Sequence, residues 1–371
     1  MATSEKKSIS TRQLIIFYCI YTFAIKFLAL PQLLSLHAGH DAWIAALVGT
    51  IVELLLLIVV LNVIVAWREK GIYKGLSENM MEVGSRVVFV AMGALLLLQL
   101  LIMTGLLKSL VLQSLFHDLS PQLFLIPLVL FGMSFCFAKT RAVFRSGEIF
   151  YLLIAVGLIL SVLPAITSID VAEVTPVMAN GLPNIFRAVF ANLIFFESAI
   201  FLLLFAGDIK VTKDFRKKFF SFATLAGVIF VLFVFMATAV FGPLMPLKNM
   251  AVIDMTTHSQ FLATSGRMDW ILISIWLLLL LMRFGVTFYC LFTCLRKIFG
   301  IKEGGGYWGI LIAVVIWVFW TFVILEIQGL YRFIDDWQIA IGVTILLIPL
   351  VCIINVLLGQ KRRSKENAVD N

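Results

Sequence analysis

Residues 23–31 read Phe23-Ala24-Ile25-Lys26-Phe27-Leu28-Ala29-Leu30-Pro31. A lysine stands inside an apolar run, and a proline follows five residues later. The run extends from 12 to 34, and about 20 such residues suffice for a helix to cross a bilayer core. A charge at the centre of a span costs about 2.5–3.5 kcal/mol on insertion scales, so it marks a buried partner or a site. Pro31 removes a backbone hydrogen bond and crowds the carbonyl of Phe27, next to Lys26. Broken spans expose carbonyls and amides near the midplane, which transporters use to bind substrates and ions. The stretch predicts a discontinuous first span in a polytopic membrane protein.

The rest of the chain reads the same way. Of 371 residues, 62% are apolar and 13% charged, with a mean hydropathy of +1.06. Soluble domains have about 45–50% apolar and about 25% charged residues, so a soluble enzyme, a nucleic-acid-binding domain and a disordered chain are excluded. Ten apolar runs are candidate spans: 12–34, 42–66, 87–107, 121–138, 147–166, 184–206, 218–241, 270–295, 307–327 and 337–358. Each is read as a helix, because backbone groups in hydrocarbon must be satisfied internally. The reading is one integral membrane domain over 1–371. It has an N-terminal segment 1–11, a first five-helix half 12–166, a second half 184–358 and a tail 359–371. The opening MATSEKKSIS is polar and has no A-x-A-like site, so no cleavable signal peptide is expected.

The net charge of +8 resolves into orientation. Of the 29 lysines and arginines, 22 fall on the side of the two termini, five on the other side, and two inside spans. The excess of basic residues predicts that both termini are cytoplasmic, which requires an even number of spans. The run Lys210, Lys213, Arg216, Lys217 and Lys218 is read as part of that bias, facing lipid headgroups. Lys302-Glu303-Gly304-Gly305-Gly306 is a flexible link and lacks the Gly-Lys-Ser/Thr of a phosphate loop. Cys19, Cys136, Cys290, Cys294 and Cys352 all lie in apolar runs. Without histidine partners Cys290 and Cys294 make a poor zinc site, and neither metal nor cofactor is expected. The histidines, His37, His40, His117 and His258, lie in outer loops and are read as loop polarity.

Four charges lie near the middle of spans: Lys26, Glu53, Glu197 and Arg283. Unpaired, they would together cost about 10–14 kcal/mol. Two of each sign permit mutual pairing, either as ion pairs that knit the bundle or as a ligand site at the midplane. Ten spans divide into five and five, so Lys26 in span 1 and Glu197 in span 6 occupy corresponding places. Transporters with inverted repeats put their substrate site between such places.

The chain resembles the B-subunit, permease-like family of spore germinant receptors, within the amino acid/polyamine/organocation superfamily. The resemblance runs over nearly the whole chain. It rests on Ile9-Ser10-Thr11-Arg12-Gln13, Leu30-Pro31, Asp41-Ala42-Trp43-Ile44 and Glu148-Ile149-Phe150. It continues through Pro176-Val177 to Gly181, Glu197, and Arg267 with Leu295-Arg296-Lys297-Ile298-Phe299-Gly300. It implies an all-α, ten-span fold of leucine-transporter type, with a five-plus-five inverted repeat and helices 1 and 6 discontinuous. It also implies a receptor in the spore inner membrane that senses a small nutrient, often an amino acid, together with A and C subunits. A proton-coupled amino acid transporter of the same superfamily is the alternative.

In such a fold the pocket is lined by spans 1, 3, 6 and 8, which here carry Thr22 and Lys26, Ile102 and Met103, Glu197 and Ser198, and Arg283 and Thr287. Where members of the family often carry glycine, this chain has Ala24, Lys26 and Phe195, which predicts a tighter, differently charged pocket. Some relatives hold sodium between spans 1 and 8. Lys26 and Arg283 are expected to replace it, with Glu197 and Glu53 as counter-charges.

Overall fold

The computed structural model describes residues 9–114, 121–258, 269–301, 307–322 and 327–369. The described residues form α-helices and short 3-10 turns, with no strand beyond a single bridge between Ile9 and Ile209. The helices are α1 (Thr11–Ala38), α2 (Ala42–Ala66), α3 (Gly71–Ser77), α4 (Glu82–Ser114), α5 (Pro121–Phe137), α6 (Thr140–Val162) and α7 (Gly181–Ala191). They continue with α8 (Phe215–Phe241), α9 (Ala251–His258), α10 (Asp269–Phe299), α11 (Trp308–Phe322), α12 (Ile327–Asp336) and α13 (Gln338–Val369).

Six helical stretches are long and apolar enough to cross a membrane: Thr11–Ala66, Glu82–Leu112, Thr140–Ser168, Phe215–Leu247, Trp270–Phe299 and Gln338–Lys361. The first holds α1 and α2, joined by the turn Gly39–Asp41. Phe124–Phe137 and Trp308–Phe319 are shorter apolar helices. The exposed apolar residues fall in helical stripes, such as Leu47, Ile51, Leu55 and Ile58 on α2 and Ile149, Leu152, Val156 and Ile159 on α6. In water such faces would be a liability. In hydrocarbon they are the expected outer surface, and the chain is a polytopic membrane protein.

Helix α1 forms the centre. Every residue from Ile20 to Pro31 is buried, as expected of a helix that is apolar all round. It packs against α6, α7, α8 and α10, while α10 lies along α4 and α5. Contrary to the sequence expectation, α1 is unbroken from Thr11 to Ala38, with Pro31 inside it. A proline costs one helical bond, and neighbouring helices in a membrane bundle sustain the turn around it. Pro31 is therefore not a helix break.

The run 184–206, expected as span 6, is the discontinuous one. Helix α7 ends at Ala191, and the chain passes through a 3-10 turn at Leu193–Phe195 and a non-helical point at Glu197 before a second 3-10 stretch, Ile200–Phe205. Neither glycine nor proline stands in the break. Asn192 turns its amide back to the Ala188 carbonyl at 2.9 Å and to Leu33 of α1 at 3.4 Å, a local competition with helix bonding that asparagine favours.

The motifs that carry the resemblance have structural work to do. Ser10 and Gln13 form a reciprocal capping box at the start of α1, which satisfies amides that a helix start leaves orphaned. Ile9 donates to Asp208 O at 2.6 Å and accepts from Lys210 N at 2.9 Å, tying the head of α1 to the segment after span 6. Asp41, fully buried, accepts from Met178 N at 2.6 Å and Asn180 N at 3.4 Å. Asn180 in turn donates to Ala38 O at 2.9 Å. The α1–α2 corner and the 176–181 loop therefore hold one another.

Candidate functional site

The four buried charges sort into two clusters on either side of the span 6 break. In the first, Lys26 of α1 and Glu53 of α2 form a salt bridge with both side chains almost fully buried. Tyr18, two turns before Lys26, donates to the other carboxylate oxygen of Glu53 at 3.0 Å. The lysine ammonium also lies 4.7 Å from the ring centroid of Phe196 and 5.6 Å from that of Phe230. Cation–π contacts of this length become worth about 2 kcal/mol when desolvated. The ring of Phe196 is seated on α2, where a Cβ on Gly49 would overlap its tip. Glycine is required there because α2 and the break approach so closely.

In the second cluster Glu197 and Arg283 are joined through Gln99 of α4. The Gln99 amide donates to Glu197 Oε1 at 2.9 Å and to Ile194 O at 2.6 Å. Its carbonyl oxygen accepts from Arg283 Nη2 at 3.1 Å. Arg283 Nη1 donates to the backbone carbonyl of Tyr21 in α1, and its guanidinium lies 4.1 Å from the centroid of the Tyr21 ring. Tyr21 in turn packs on Phe201 with centroids 4.1 Å apart. The break thus gains from a glutamine the backbone partner that a regular helix would supply itself. Burying polar groups is costly unless they are paired in this manner.

Of the remaining expected residues, Thr287 and Met103 lie beside Arg283. Thr287, one turn after Arg283, donates to Arg283 O at 2.9 Å and lies 3.7 Å from Met103 Sδ. Ile102 and Met103 are fully buried on α4. Thr22 and Ser198 are buried as well, and the Ser198 hydroxyl has no hydrogen-bond partner among the described residues. An orphaned hydroxyl beside Glu197 is a group that a ligand or water would satisfy. Sequence reasoning missed Gln99, Tyr18, Tyr21 and Phe196. The isolated amide of Gln99 within Leu95–Leu101 was the available signal, since polar side chains inside spans pair across helices.

Among the described residues no group of three or more histidines, cysteines or carboxylates is spaced to hold a metal ion, and all five cysteines are free. His40 Nδ1 donates to the Glu173 carbonyl at 2.7 Å. His117 and the triglycine link fall outside the described residues.

A central helix, a span broken at a glutamate and two buried charge clusters characterise a permease-like protein, and the comparison with known families agrees. The spore germination protein family, of spore permeases, matches residues 8–329. The chain belongs to the spore germination protein family. It is 26% identical over 276 residues to spore germination protein KB of Bacillus subtilis (strain 168). That match covers 69% of this chain and 66% of the relative. The family match over residues 8–329 takes in all four buried charges and Gln99.

Proposed function

We propose that this chain is the permease-like B subunit of a spore germinant receptor. It binds a small nutrient at the span 6 break and signals through A and C subunits. The supporting observation is the buried arrangement Lys26–Glu53 and Glu197–Gln99–Arg283 around a helix that is open at Glu197. The four charges sum to zero, and a low-dielectric site of zero charge favours a ligand of zero net charge. A zwitterionic amino acid meets that condition, whereas an acidic or basic one carries an uncompensated charge. Ligand binding acts by its difference in affinity for two arrangements of the bundle.

The topology that goes with this reading is ten crossings in a five-plus-five repeat of leucine-transporter type, with both termini cytoplasmic at the spore inner membrane. The ligand lies among Thr22, Lys26, Ile102, Met103, Glu197, Ser198, Arg283 and Thr287. Arg283 reaches the Tyr21 carbonyl across spans 8 and 1. A tethered guanidinium thereby takes the role of a bound sodium ion, and ion coupling is unnecessary. The protein is a receptor or permease rather than an enzyme.

The test is germination of spores whose native gene is replaced by the Glu197→Gln variant. The expected result is loss of the response to one nutrient class at normal protein level. An unchanged response to every nutrient, for this variant and for a gene deletion, overturns the reading. Robust gradient-driven uptake of labelled amino acid into proteoliposomes would favour the transporter instead.

A further inference from the structure

A concave site that shares no residue with the two charge clusters lies beside the basic residues Arg68, Lys70 and Arg216. Two adjoining cavities, of about 660 Å³ and about 380 Å³, lie where the ends of α2 and α13 meet α3 and the start of α8. Both are lined by Val65, Ala66, Val356 and Gln360. The larger adds Trp67, Arg68, Lys70, Glu78 and Asn79, and the smaller adds Asn62, Arg216, Ile353 and Leu357.

The polar groups divide into two kinds. In the larger cavity they are committed to the protein. Lys70 is paired with Glu78, Arg68 lies 3.7 Å from Glu69, and Asn79 donates to Asn355. In the smaller cavity Asn62, Arg216 and Gln360 have no hydrogen-bond or ion-pair partner among the described residues. The amide of Asn62 is half-buried one turn inside the end of α2, at a depth where an unsatisfied polar group is costly. Beneath these three groups the wall is apolar, and Leu357 continues onto the exposed stripe Ile354, Leu357 and Leu358 of α13.

The cavity therefore has a cation and two amides at its mouth and an aliphatic track leading into the bilayer. We propose that it holds the headgroup of an anionic phospholipid. Arg216 meets the phosphate, Asn62 and Gln360 bond the phosphate or glycerol oxygens, and one acyl chain runs along Leu357. Basic pockets between spans at this face suit such headgroups, and a guanidinium pairs with phosphate oxygens through two parallel bonds. The site joins α2, α8 and α13, so an occupied site staples the last helix to the bundle. The proposal rests on the membrane reading of the chain but not on nutrient binding.

The test uses the full-length protein in detergent and reads lipid retained after exchange, by native mass spectrometry, with phosphatidylglycerol or phosphatidylcholine as the probe. The expected result is preferential retention of phosphatidylglycerol. Arg216→Gln is expected to reduce it about fivefold, the effect of one basic residue at a membrane surface. Arg216→Lys should retain part of the preference. Lys217→Gln, a charge on the same turn outside the cavity, should leave it intact. Equal retention of the two lipids overturns the proposal, as does an equal loss with Lys217→Gln, which marks a diffuse surface effect. If inorganic phosphate alone displaces the bound phosphatidylglycerol at matched concentration, the site belongs to free anions and the lipid assignment falls. The readout involves no nutrient, so failure of the receptor reading leaves it unaffected.

Discussion

Lys26 and Glu53 are each other's direct charge partners, so removing one leaves the other buried alone. Breaking a buried pair from one side costs about 3–5 kcal/mol, whereas replacing both members with apolar residues is often neutral. Lys26→Met should therefore lower the melting temperature in detergent sharply, and the Lys26→Met/Glu53→Leu double variant should recover most of the loss. A double variant no more stable than the single one contradicts the pairing. Gln99 is a different case, because it is neutral and serves three partners. Gln99→Leu leaves Glu197, the Ile194 carbonyl and Arg283 each short of a bond, at about 1–3 kcal/mol per orphaned group. The germination response should disappear before assembly does, measured as spore response at constant protein level. Lys26, Glu53, Glu197 and Arg283 were legible in the sequence because a charge in an apolar run has no innocent reading. The pairing was not legible, because it depends on which faces of α1, α2, α4 and α10 meet. Tyr18 and Tyr21 were equally silent, since a tyrosine in a span serves as well for packing as for a hydroxyl contact.

At the scale of the element, the contrast between spans 1 and 6 is instructive. Pro31 suggested a break and the helix ran on. Span 6 broke without glycine or proline at all. Helix continuity in a membrane bundle is decided by whether neighbours can supply the missing backbone partners. Gln99 does so at Ile194, and Asn192 attaches the break to Leu33. Phe195, where glycine is often found, does not prevent the opening. The break is instead braced from the other side by the Phe196 ring on Gly49. Gly49→Ala inserts a methyl group where the ring already sits, and overpacking of this kind costs about 1–3 kcal/mol. The variant is expected to lose thermal stability, and Phe196→Leu in the same chain should restore part of it. A Gly49→Ala protein with unchanged melting temperature contradicts a rigid seat for that ring.

At the scale of the whole molecule, the apolar runs and their helical character were readable from composition and spacing. The membrane class follows from the long helices and their exposed apolar stripes. The arrangement around α1 was not readable, because an all-apolar helix carries no record of which neighbours it touches. Two expectations belong to this scale. Reporter fusions after residue 371 and ahead of residue 1 should both report the cytoplasmic side, and opposite readouts would contradict an even number of crossings. The nutrient response should also be the same in sodium-containing and sodium-free medium, since Arg283 and Lys26 supply fixed positive charge. Strict sodium dependence would contradict the tethered-cation arrangement.

The bridge between Ile9 and the Asp208–Lys210 segment gives the chain a mechanical linkage between its beginning and its middle. Displacement of the stretch after the open span pulls directly on the head of the central helix, and a force applied there is transmitted back. Ile9 is thus the point at which the head of α1 and the stretch after the break are joined. A fluorophore at Ile9 would follow any displacement of the stretch after the break from outside the site, without a label in the site itself.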